Sequence, residues 1–215
     1  MNYSAKAIKT AKDSFIRKVP GDGKKGPFYN CTQPWEFIVD DEELFRNAVW
    51  QGYLDASRTF SGIKGKKTDR NCGAFKKLAD AIRSYFEKND DFNHKKWCED
   101  FISDMKEFYD YDARYGQAQK VVNMAFKYLY CCEGAEKYKD KFDKCHMPLD
   151  QYTLAWLFSE GEPYYQEWSW FDYDTYKEVN DRIREILKTD ILDKELVIWE
   201  SYKGRIVNLK TKYKK

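Results

Sequence analysis

Apolar residues recur at helical spacing along most of this chain, and almost nowhere at every second position. The clearest stripe is Ala118, Val121, Val122, Ala125, Tyr128 and Leu129, which predicts a helix from 115 to about 131. Leu44, Phe45, Ala48, Val49, Tyr53 and Leu54 form another stripe, with Asp40-Asp41 as its cap. Phe75, Leu78, Ala79, Ile82 and Phe86 mark a third, and Asn89-Asp90-Asp91 breaks it. Trp97, Phe101, Ile102, Met105 and Phe108 mark a fourth. A short first helix is expected within 1–18, one opening at Pro148, and two more near 174–188 and 193–202. Only 36–39 and 205–209 read as candidate strands, and no repeat of fixed period is present. The expected class is mainly α.

A chain of 215 residues suffices for one compact domain or two small lobes sharing a core. Three parts are expected: an N-terminal segment and loop over 1–39, a helical core over 40–160, and helices over 161–215 packing back on it. With 17 Tyr, 14 Phe and 7 Trp, large rings can fill that core and leave others for stacking. The net charge of +2 excludes a strongly polybasic protein but not a local basic face. The segments 64–70 and 203–215, with Lys24-Lys25, offer cations for phosphate contacts, or simply a solvated surface. No apolar run reaches the length of a membrane span, and the N-terminus lacks the apolar core of an export signal. A cytoplasmic location with no membrane partner is expected. Cys31, Cys72, Cys98, Cys131, Cys132 and Cys145 are then expected as reduced thiols.

Two residues carry chemistry. Lys120 follows Tyr115-Gly-Gln-Ala-Gln near a helix start, where the helix dipole and partial burial favour a neutral amine able to attack an electrophilic carbon. It lies off the apolar stripe, on a face with Met124 and Lys127, where a solvated surface lysine is the alternative. Thirty positions later, Cys145-His-Met-Pro-Leu-Asp150 places a carboxylate at the next helix start. Asp150 can cap backbone N–H groups there and stay ionised, available to a cationic sugar-like transition state or to the amine's proton. Cys131, Cys132, Cys145 and His146 match no common zinc spacing, so neither a metal nor another cofactor is expected. His94 is isolated and receives no role.

Gly116-Gln-Ala-Gln-Lys120, followed by His146-Met-Pro148-Leu-Asp150-Gln-Tyr-Thr-Leu154, resembles the helix-hairpin-helix DNA glycosylase superfamily, nearest its archaeal 8-oxoguanine glycosylase-like branch. The run from Leu44 to Gly52 is loosely similar to the helix opening that family's core. The resemblance covers roughly 40–160 and implies two helical lobes with a central cleft. It implies a DNA glycosylase, possibly with lyase activity, in DNA repair, with Lys120 as nucleophile at the sugar C1′ through a Schiff base and Asp150 as its partner. Gly116, Gln117, Gln119, His146 and Gln151 would contact the substrate. Trp50 and Trp156, with Trp168, Trp170 and Phe171, would wall a pocket for a flipped base. The family's hairpin has two glycines, whereas Ala118 stands where the second would lie. No four-cysteine cluster follows the core, so no iron–sulfur centre is implied. The alternative is a non-catalytic nucleic-acid or protein-binding module, for example in phage defence or regulation, using the aromatic patch.

Overall fold

The computed structural model describes residues 1, 3–18, 36–63, 69–71, 73–88, 90–163 and 167–202. These form nine α-helices: α1 (Ala5–Lys18), α2 (Glu42–Ala56), α3 (Gly73–Glu87), α4 (His94–Tyr109), α5 (Tyr115–Tyr130), α6 (Lys139–Phe142), α7 (Gln151–Ser159), α8 (Tyr173–Leu187) and α9 (Ile191–Tyr202). The mainly helical class stands. Among the described residues, the strand expected over 36–39 is reduced to one isolated bridge between Glu36 and Glu133. The second candidate strand, the 19–35 loop with Lys24-Lys25, residues 64–68 and residues 203–215 lie outside the described residues.

Helix ends follow local chemistry. Asp41 caps α2 by accepting from the Glu43 and Leu44 N–H groups, and Asn93 caps α4 through the Lys96 N–H. Asp110, in the left-handed region at φ 48°, ends α4. Pro148 does not open α7; Asp150 is the N-cap, two residues later, with an extended backbone.

α5 is the axis. Every residue from Tyr115 to Leu129 is buried, and α2, α4, α8 and the 3-10 turn Trp168–Trp170 all pack on it. Its closest neighbour is α2, because Gly52 has no side chain. A Cβ there would sit 2.6 Å from the Val121 carbonyl oxygen. Beyond α2, rings fill the core: Phe86 meets Phe37, Phe45, Phe126 and Phe142 at centroid separations of 5.0–6.0 Å. Each such pair contributes roughly 0.5–1.5 kcal/mol beyond its buried area. α1 lies on α9 and α9 on α7, so the first and last described helices close over one side of α5. None of the described helices is long and apolar enough to cross a membrane.

Candidate active site

Lys120, Met124 and Tyr128 are spaced by four along α5 and look into one cavity of about 400 Å³. Lys120 is not a surface lysine: it is 5% exposed, and its Nζ donates to Asp150 Oδ2 over 2.7 Å. Asp150 divides its oxygens between two tasks. Oδ1 accepts the Tyr152 and Thr153 N–H groups at 2.8 and 3.0 Å, which caps α7, and Oδ2 takes the lysine. Capping and pairing are therefore one arrangement, since the cap fixes the carboxylate plane and leaves one oxygen for the amine. Burial pushes the Asp150 pKa up. The charge and hydrogen bond of Lys120, with the Thr153 N–H and the charge of Lys127, outweigh it and hold the carboxyl below its ordinary value.

The segment carrying Asp150 is pinned from behind by α5. Gln119 donates to the Leu149 carbonyl at 3.0 Å and accepts its N–H at 3.2 Å. Asn123 donates to Gln119, the Met147 carbonyl and the Tyr176 hydroxyl at 3.0–3.2 Å, and faces His94 Nε2 at 2.9 Å. His146 Nδ1 meets the same Tyr176 hydroxyl at 2.7 Å, and the two histidine rings stack at 4.4 Å. Burial, as the largest cause, pushes His94 down to about 3 and His146 well below its ordinary value, so both rings are neutral near pH 7.

Several expected substrate contacts are therefore spent inside the fold. Gln119 and His146 belong to this framework behind the cavity. Gln117 is fully buried, its amide holding the Tyr111 hydroxyl at 3.0 Å and the Thr59 carbonyl. The Gly116 N–H donates to the Phe171 carbonyl at 2.9 Å, so it is not presented to a phosphate. That glycine is required for a different reason: a Cβ would lie 2.0 Å from the Trp168 carbonyl oxygen. Trp156 is completely buried core, and Trp50 packs on Tyr53 and Phe75, away from the cavity. Gln151 does line the cavity, as does Trp168. Trp170 is outside it, 61% exposed beneath the Arg114 guanidinium.

The structure adds residues that motif spacing did not reveal. Asp55, Arg58 and Thr59, from the end of α2 and the turn after it, line the same cavity as Asp150. Asp55 Oδ2 accepts the Tyr128 hydroxyl at 2.8 Å. Phe15 and Trp199 close the remaining side, and between their rings runs Lys127, its Nζ 4.2 and 5.0 Å from the two centroids. Lys127 pairs with Glu195 at 2.7 Å, each side chain 1% exposed. A signal for these was present: Asp55 continues the α2 stripe Leu44, Ala48, Gln51, and Lys127 stands seven residues from Lys120. Charged residues in register with a buried stripe mark positions that need partners.

Among the described residues, no group of three or more His, Cys, Asp or Glu side chains is arranged to hold a metal ion. The thiols of Cys98, Cys131, Cys132 and Cys145 are all buried. No protein-family model, curated protein or solved structure matches this chain significantly.

Proposed function

We propose that this chain is a DNA N-glycosylase with lyase activity, its helices forming two lobes about the cavity. The observation that carries this reading is the Lys120–Asp150 contact of 2.7 Å at the wall of a cavity bordered by Trp168, Trp199 and Tyr152. An amine, an adjoining carboxylate and flat apolar walls are what removal of an extruded base requires.

The proposed reaction begins with cleavage of the C1′–N bond, whose electron pair leaves with the base. The carboxylate of Asp150 stabilises the positive charge spread over C1′ and O4′. Lys120, having released a proton, adds its lone pair to C1′. Breaking the C1′–O4′ bond then gives a C1′=Nζ Schiff base, and abstraction of a proton from C2′ sets up strand cleavage. DNA is the proposed partner, and damaged or modified bases are the proposed substrate class.

The test is borohydride trapping on duplex and single-stranded oligonucleotides carrying an abasic site or a panel of damaged bases. The wild-type chain is expected to form a covalent adduct, Lys120→Gln none, and Asp150→Asn about 10²-fold less per unit time. An adduct that survives Lys120→Gln refutes the assignment. A second reading, a non-catalytic nucleic-acid or protein-binding module, draws on exposed Trp170 and Arg114, 3.3 Å from its ring. It predicts binding with no trappable adduct.

A further inference from the structure

Three carboxyl groups gather around α5, and two of them have a dedicated cation. Asp150 holds Lys120 at 2.7 Å and Glu195 holds Lys127 at 2.7 Å. Asp55 differs. Among the described residues no Lys, Arg or His nitrogen pairs with it; its recorded partner is the Tyr128 hydroxyl, at 2.8 Å. Asp55 is exposed to solvent through the cavity, which it shares with Lys120 and Asp150.

We propose that Asp55 is the proton carrier of the cavity: it delivers a proton to the group leaving C1′ and takes one back from the Lys120 ammonium. This rests on the Lys120 reading given above. The step balances. At rest Lys120 is an ammonium, Asp150 a carboxylate and Asp55 a neutral acid. As the C1′–N bond breaks, its electron pair goes to the base nitrogen, which receives the Asp55 proton. The resulting Asp55 carboxylate accepts a proton from Lys120, whose freed lone pair bonds to C1′. The base leaves neutral, Asp55 is again an acid, and the positive charge rests on Nζ beside Asp150. With an abasic aldehyde the same transfer expels water from the carbinolamine.

The surroundings suit a neutral acid. Crowding by the protein atoms lining the cavity, the largest influence, raises the Asp55 pKa, and the Asp150 charge adds to it; Lys120, the Tyr128 hydrogen bond and Lys127 pull it down, and solvent reaching this exposed side chain moderates the rise. Arg58 lines the same cavity from the turn beyond α2. Asp150, by contrast, receives two backbone N–H groups and the ammonium, and it stays charged. Two carboxyl groups in one cavity, driven apart by their environments, divide into an acid and an electrostatic partner.

The probe is an abasic-site oligonucleotide, with adduct formation followed under borohydride from pH 5 to 9 by the intact chain. For the wild type, the rate should fall as pH rises through the Asp55 titration. Asp55→Asn should be slower by about 10²-fold at pH 6 and lack that alkaline limb, and Asp55→Glu should recover part of both. If Asp55→Asn reacts at the wild-type rate with the wild-type pH profile, the proton-carrier role is overturned while Lys120 stands. If the wild type forms no adduct, or the adduct persists in Lys120→Gln, both fall. Carboxyl 13C NMR on the wild type reads the group directly, whatever the stability of the variants. An Asp55 signal titrating above the ordinary aspartate range supports the role, and one ionised like an exposed aspartate overturns it.

Discussion

α5 carries two lysine–carboxylate pairs, seven residues apart, with the same 2.7 Å contact and opposite characters. Lys127–Glu195 is sealed, 1% exposed on both sides, with aromatic rings over the ammonium. Lys120–Asp150 borders the cavity, its side chains 6% and 12% exposed. Burial raises the Glu195 pKa despite its lysine, whereas the Asp150 pKa is lowered. Both carboxylates meet a lysine, so the lysine is not the distinguishing factor. Asp150 sits at a helix N-terminus with two backbone donors on its other oxygen, whereas Glu195 lies within α9 without them. A helix end thus turns a buried ion pair into a stable anion beside an amine at the wall of the cavity.

The largest expected effect separates the two pairs on stability. Lys127→Met strands Glu195 in the core and should cost about 3–5 kcal/mol in urea unfolding. Lys120→Met leaves Asp150 with its two N–H donors and with water from the cavity, and should cost about 1 kcal/mol. Equal losses would break the contrast. Next comes Gly116→Ala, which drives a methyl into the Trp168 carbonyl. It should cost about 1–3 kcal/mol and displace the Trp168 wall, slowing adduct formation at Lys120 with no effect on the sealed pair.

Acid should act on the framework before it acts on the pair. The folded pKa of His94 is depressed to about 3, so its contribution to stability is complete above the unfolded value of about 6.5 and fades as pH falls toward 3. Between pH 7.5 and 5 the loss should be about 2 kcal/mol from His94, with His146 adding in the same direction. Asp150, also depressed, begins to lose its contribution only near and below the usual aspartate range of about 4. A urea midpoint flat from pH 7.5 to 5 would remove the neutral-histidine framework from this account. The smallest effect is on Asp150→Asn: an amide oxygen can still cap α7, so stability should change by less than about 1 kcal/mol while trapping falls. A large loss of stability there would make Asp150 a structural group.

The helices were legible because their stripes bury against one axis, and α5 in particular runs within one residue of its expected end. Lys120 and Asp150 were legible as well, as an amine near the start of α5 and a carboxylate at the start of α7, although the short α6 lies between them. What could not be read was which polar residues face inward. Gln117, Gln119 and His146 sit in the same short motifs as the pair, yet they hold the Thr59, Leu149 and Tyr176 groups of neighbouring segments. Gly116 was expected for its backbone N–H but is needed for its missing side chain. Asp55 and Trp199 belong to no motif, because their place in the cavity comes from α2 and α9, helices far apart in sequence that meet at one cavity. Spacing along one helix carries no information about partners brought from far along the chain.

The central claim is that Lys120, among the many lysines of this chain, is the amine that a substrate reaches. Borohydride reduction with an abasic-site oligonucleotide, followed by proteolysis and mass spectrometry of the cross-linked peptide, tests it directly. The account predicts one modified residue, Lys120, in stoichiometric yield at neutral pH. Modification spread over exposed lysines, or none at all, would contradict it.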